Sequence, residues 1–124
     1  MPKLLVIDDD RRVRDTIKLV MEAAGHTLAF ATNGREGLAR FAEFKPDLVI
    51  TDILMPEKEG IATITELRKL NKSIPIIAIS GGGRVGNMDF LKVAQNMGAT
   101  KTLSKPFDPD ELMDTIAALV PKAA

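Results

Sequence analysis

Apolar and polar residues fall into alternating blocks along this chain. Short, almost continuous apolar runs, of the kind that form strands covered on both faces, are separated by stretches where apolar residues recur at helical spacing. Five such units follow one another, which predicts a parallel sheet with crossover helices. The strands are placed at Lys3–Ile7, Thr27–Ala31, Leu48–Thr51, Ile76–Ser80 and Lys101–Ser104.

The helices carry their own punctuation. In the first, Val13, Ile17, Val20 and Ala24 form the stripe and Gly25 is the stop. The second takes Asn33 as N-cap with Glu36 three residues on, turns Leu38, Phe41 and Ala42 inward, and ends before Pro46. Ile61, Ile64 and Leu67 mark the third. The fourth is expected from about Asn87 to Met97, with Phe90, Ala94 and Met97 inward and Gly98 as the stop. The fifth starts most clearly: Asp108 as N-cap, Pro109 at the first helical position and Glu111 at the third, then Leu112, Ile116 and Leu119 before Pro121. Between the fourth strand and fourth helix, Gly81 to Gly86 holds four glycines in six positions, a stretch of high backbone freedom.

Composition narrows the picture. The 124 residues fit one domain, 1–124, with no internal repeat and no linker toward an effector domain. A chain of this size buries roughly two thirds of its unfolded surface. With 45% hydrophobic and 27% charged residues it falls outside the disordered and fibrous classes. Seventeen basic residues balance seventeen acidic ones, so charge gives no sign of a nucleic-acid or anionic-membrane partner. The absence of cysteine excludes a disulfide framework and thiolate chemistry. The apolar run Leu4 to Ile7 ends at three acids, too short for a signal peptide or a membrane span. A cytoplasmic chain is expected.

The candidate chemistry lies where the strands end. Asp8 and Asp9 follow the first strand, Asp52 the third, Ser80 the fourth and Lys105 the fifth. In a sheet of order 2-1-3-4-5 the first and third strands are neighbours at the switch point, where ligands bind beyond the carboxyl ends. Three carboxylates then converge, and such a cluster calls for a cation. Oxygen-only ligation with open positions favours Mg2+, or Mn2+. A cation, an aspartate nucleophile, a lysine and a hydroxyl together suit phosphoryl transfer onto a carboxylate.

Four segments, Leu4-Leu5-Val6-Ile7-Asp8-Asp9-Asp10, Thr51-Asp52-Ile53-Leu54-Met55-Pro56 with Gly60, Ile79-Ser80-Gly81 and Lys105-Pro106-Phe107, resemble the signature segments of response-regulator receiver domains, in order and at the right spacing. The resemblance is to the single-domain, chemotaxis type, and it implies an α/β, flavodoxin-like doubly wound (βα)5 fold with a five-stranded parallel sheet. It implies that Asp52 accepts a phosphoryl group from a sensor histidine kinase, a phosphotransfer protein or a small phosphodonor. Asp9 would ligate Mg2+ directly, Asp8 mainly through water, and Leu54 through its backbone carbonyl. Lys105 would contact a phosphoryl oxygen, Ser80 would donate its hydroxyl, and Gly81 would leave the group reachable. The output would be a contact with a downstream protein through the fourth helix, fifth strand and fifth helix, made by a monomer, or a relay of the phosphoryl group onward.

Three departures bear on signalling. Thr102 stands where the family usually has an aromatic switch residue. The glycine run after Ser80 is unusual, and implies a fourth helix whose start orders on activation. Leu54 and Gly82 occupy positions that tune dephosphorylation, and neither side chain can orient a water, which implies a long-lived phosphorylated state.

Other readings remain open. Asp8-Asp9-Asp10 superficially fits the aspartate-nucleophile phosphatases of the haloacid dehalogenase class, but Arg11-Arg12 follows where a small or hydrophobic position is expected. A receiver-like interaction module without phosphorylation is the other rival. Nucleotide binding fails for want of a glycine motif after the first strand. Asp10 reads as a solvated acid starting the first helix. Arg11, Arg12 and Arg14 are either a docking surface for an acidic partner or a solvated face. His26 reads as a surface residue, and Met55 and Met97 as core.

Overall fold

The computed structural model describes residues 2–53, 59–80, 84–85, 88–104 and 107–120, with the backbone alone at 59, 60, 80, 84, 85, 88–91 and 93. The elements run β1 (Lys3–Ile7), α1 (Arg11–Ala23), β2 (Thr27–Ala31), α2 (Gly34–Phe44), β3 (Leu48–Asp52), α3 (Glu59–Leu70), β4 (Ile76–Ser80), β5 (Arg84–Val85), β6 (Met88–Asp89), α4 (Phe90–Met97), β7 (Lys101–Ser104) and α5 (Pro109–Leu119). The main sheet is parallel, in the order β2-β1-β3-β4-β7. This is the expected 2-1-3-4-5 arrangement of a flavodoxin-like doubly wound fold, with β7 as its fifth strand.

Side chains on a strand point alternately to opposite faces, and the core divides accordingly. Leu5 and Ile7 of β1, Val49 of β3, and Ile76 and Ala78 of β4 pack with Ile64 and Leu67 of α3 and Ala94 of α4, joined by Leu38 and Phe41 of α2. Their strand neighbours Leu4, Val6, Leu48, Ile50, Ile77 and Ile79 pack on the other face with Ile17 and Met21 of α1 and Leu112 and Ile116 of α5. Both faces are covered, which is why these strands read as continuous apolar runs.

The helix starts follow from capping. Asp10 Oδ1 accepts from the Arg12 N–H at 2.9 Å, Asn33 Oδ1 from Glu36 N–H at 2.8 Å and Asp108 Oδ1 from Asp110 N–H at 2.9 Å. Glu36 reaches back to the Thr32 N–H at 3.1 Å. Helix α2 ends on Lys45 in the left-handed region, φ 52°, immediately before Pro46. Gly25 (φ 90°) and Gly98 (φ 125°) end α1 and α4 as expected.

Several expectations need correction. Strand β3 extends through Asp52, which pairs with Ile79. Helix α4 begins at Phe90 rather than near Asn87, because the preceding chain forms the two-residue antiparallel strands β5 and β6. Met97 is not core: it is 47% exposed and lies over α3, where Thr65 Oγ1 approaches its sulfur at 4.0 Å. Ala24 and Ala42 are exposed rather than inward. His26 is half-buried, its Nδ1 is enclosed without a hydrogen-bond partner, and burial lowers its pKa. Met55 and the glycines Gly81, Gly82, Gly83 and Gly86 lie outside the described residues.

Candidate functional site

Strand β1 runs beside β3 with Ile7 opposite Thr51, so the next residues, Asp8 and Asp52, emerge side by side at the carboxyl end of the sheet. Asp8 has left β1 but its N–H still donates to Ala31 O of β2 at 3.0 Å. Beyond Asp52, the Ile53 N–H donates to Ile79 O of β4 at 3.0 Å. Both backbones are therefore fixed by neighbouring strands. Asp8 is 1% exposed and Asp52 4%, whereas Asp9 is open to solvent.

One carboxylate oxygen from each of Asp8, Asp9 and Asp52 lies within 4.8 Å of the others. For the buried pair Asp8 and Asp52 a separation of at most 4.8 Å corresponds to a bare mutual repulsion of at least about 3.5 kcal/mol at an effective dielectric of about 20. A cation among the three carboxylates reverses the sign. The donor set is all oxygen, two buried and one exposed, which fits a small hard cation that keeps part of its water shell.

The loop carrying two of these acids is braced. Asp8 Oδ1 accepts the Asp10 N–H at 2.8 Å, Asp10 caps α1, and Arg14 Nη1 donates to the Asp8 carbonyl at 2.7 Å. Asp10 points into its own helix start, as expected, and not into the cluster. This removes the third acid that the phosphatase reading needs. Thr51 Oγ1 donates to Asp52 O at 3.2 Å.

The remaining expected residues are placed in part. Ser80 ends β4 opposite Ser104, on the same edge of the sheet as Asp52. Thr102 is half-buried in β7 opposite Ala78. Leu54, Lys105 and Pro106 lie outside the described residues. Arg14 shares a basic run with the exposed Arg11 and Arg12, yet it sits beside Val13 of the inward stripe of α1 and is itself half-buried. Thr63 (2% exposed) and the close approach of Gly37 to Ile7 carried no sequence signal.

Residues 4–117 match the response regulator receiver domain family. The chain belongs to that family, whose members are receiver domains of two-component systems, signalling proteins rather than substrate-turnover enzymes. It is 35% identical over 115 residues to the chemotaxis protein CheY of Thermotoga maritima, covering 92% of this chain and 93% of that one. It is 30% identical over 122 residues to the DNA-binding dual master transcriptional regulator RpaA of Synechocystis, covering 97% of this chain and 49% of RpaA. The chain thus spans about half the length of several curated relatives it matches. Among solved structures, a response regulator receiver domain protein from Clostridium thermocellum superposes with a TM-score of 0.86 at 31% identity, over 96% of this chain and 94% of the other. Among the described residues no helix is long and apolar enough to cross a membrane.

Proposed function

We propose that this chain accepts a phosphoryl group on Asp52, from a histidine kinase or a histidine phosphotransfer protein, and signals through a phosphorylation-dependent contact with a downstream protein in the cytoplasm. The observation that carries this reading is the meeting of the Asp8, Asp9 and Asp52 oxygens within 4.8 Å at the switch point. Asp9, Asp8, Asp52 and the Leu54 carbonyl would hold Mg2+, with Mn2+ as the alternative. A bound divalent ion supplies charge neutralisation for the incoming phosphoryl oxygens.

The protein's own residues do the rest. One Asp52 carboxylate oxygen bonds to phosphorus as the donor's N–P bond breaks, and the departing imidazole keeps the electron pair and takes up a proton. Because Asp52 closes β3 opposite Ile79, its backbone is fixed before the donor arrives. Lys105 would meet a phosphoryl oxygen and the Ser80 hydroxyl would donate to another. With Thr102 in place of an aromatic, Ser80 communicates without a ring flip, and the surface of α4, β7 and α5 is the proposed output face.

Incubation with Mg2+ and acetyl phosphate, followed by intact-mass measurement, tests the proposal. The wild-type chain gains one phosphoryl group and Asp52→Asn gains none. No gain in the wild type, or an equal gain in Asp52→Asn, refutes it.

A further inference from the structure

Asp8 presents its carbonyl to a place where the sheet has run out of donors. In the β1–β2 ladder the Thr27 N–H meets Pro2 O and the Asp8 N–H meets Ala31 O, so the next donor in register would be the Asn33 N–H. Asn33, however, has left the strand to cap α2. The Asp8 carbonyl is met instead by Arg14 Nη1 at 2.7 Å, while the Arg14 backbone N–H donates to Asp10 O at 3.1 Å. With the Asp10 N–H on Asp8 Oδ1 at 2.8 Å, the bonds close a ring around Asp9. Asp9 is exposed, so its carboxylate is placed by this ring and not by packing.

We infer that Arg14 is a positioning residue of the acidic site, holding the Asp8–Asp10 loop so that Asp8 and Asp9 face Asp52. The inference rests on the proposed metal-dependent reading of that site. Among the described residues no carboxylate lies within ion-pair distance of Arg14, so its guanidinium grips the backbone and does not compete with a cation for the carboxylate oxygens. An arginine suits this task because its planar fork reaches and directs a hydrogen bond, where a lysine offers a point charge on a flexible stem. Arg14 also borders an open pocket of about 180 Å³ with Asp15, Lys18 and Phe30. Shortening it therefore widens a solvated groove and leaves the buried core intact.

Charge and positioning predict opposite signs, which makes the test decisive. Calorimetric Mg2+ titration is run on the wild type, Arg14→Ala and Arg14→Lys, with melting temperatures and metal-free amide exchange on the same samples. Removing a bracing partner of a metal ligand weakens binding by about tenfold, so Arg14→Ala binds Mg2+ about tenfold more weakly and exchanges faster at the Asp9 and Asp10 amides. Arg14→Lys recovers little. Tighter Mg2+ binding in Arg14→Ala shows that Arg14 acts by charge and overturns the inference; full recovery by Arg14→Lys overturns it too, because a flexible ammonium without the planar fork then suffices. Unchanged affinity with only a lower melting temperature overturns it as well. Failure of the receiver reading is separate: a wild-type chain that binds no Mg2+ removes the site itself, whereas unaltered metal-free exchange in Arg14→Ala removes Arg14 alone.

Discussion

Gly37→Ala sets two effects of known size against each other. In an ordinary helix interior this substitution stabilises by about 1 kcal/mol, because glycine has more backbone entropy to lose. Here a Cβ at residue 37 would collide with Ile7 Cδ1 and lie 2.8 Å from Ile7 Cγ1 and 3.4 Å from Cγ2. Ile7 has nowhere to go: it is 0% exposed and packed among Ala31, Val49 and Ile53. Overpacking of this kind costs about 1–3 kcal/mol, so after the gain of about 1 kcal/mol the net expectation is a loss of up to roughly 2 kcal/mol. With an m-value of about 2 kcal/mol/M, the urea midpoint falls by up to roughly 1 M. Ile7→Val removes the colliding Cδ1 and by itself costs about 0.5–1.5 kcal/mol. The two losses should therefore combine to less than their sum, by about 1 kcal/mol. A raised midpoint in Gly37→Ala, or losses that simply add, would refute the claim that this glycine sets the spacing of α2 on β1.

Two further expectations concern stability away from the site. Arg68 donates to Ile74 O at 2.6 Å, Gly98 O at 2.8 Å, Asn71 O at 3.3 Å and Thr100 Oγ1 at 3.2 Å, tying the ends of α3 and α4 together. Arg68→Ala is expected to cost about 2–4 kcal/mol by urea unfolding, and a change under about 0.5 kcal/mol would show the tie to be idle. His26 has its pKa lowered by burial, so below about pH 6.5 the unfolded chain takes up the proton first. Its contribution is intact above the unfolded value and is lost as pH falls toward the folded one. Stability should thus drop less between pH 7.5 and 5.5 in His26→Gln than in the wild type, and equal drops would exclude the histidine as the cause.

The sheet and its acids were legible in the sequence because both depend on local, one-dimensional signals. Apolar runs bounded by acids marked β1 and β3, and Asn33 and Asp108 marked helix starts that the structure repeats. What escaped depended on the third dimension. Nothing in the pattern around Gly37 shows that Ile7 will press against it, and Arg14 is indistinguishable from Arg11 and Arg12 until the loop at Asp8 is folded. The late start of α4 had a signal: Gly86-Asn87 between Val85 and Met88 is a hairpin-type dipeptide. Met97 fits the inward stripe by spacing, but the last turn of so short a helix carries it across α3 instead.

The division of β1 between two cores limits how this chain can change. Leu4 and Val6 serve one face and Leu5 and Ile7 the other, so adding or deleting a single residue within the strand would swap every side chain to the wrong side. The same slip would carry Asp8 out of line with Asp52. Residue replacement is therefore the only small step open to β1. The turn from Asn71 to Ser73, at the opposite end of the sheet, is held as tightly: Asn71 Oδ1 accepts from the Ser73 and Ile74 N–H groups, and Arg68 donates to the carbonyls of Asn71 and Ile74, so a change of length there breaks the same tie that Arg68→Ala removes.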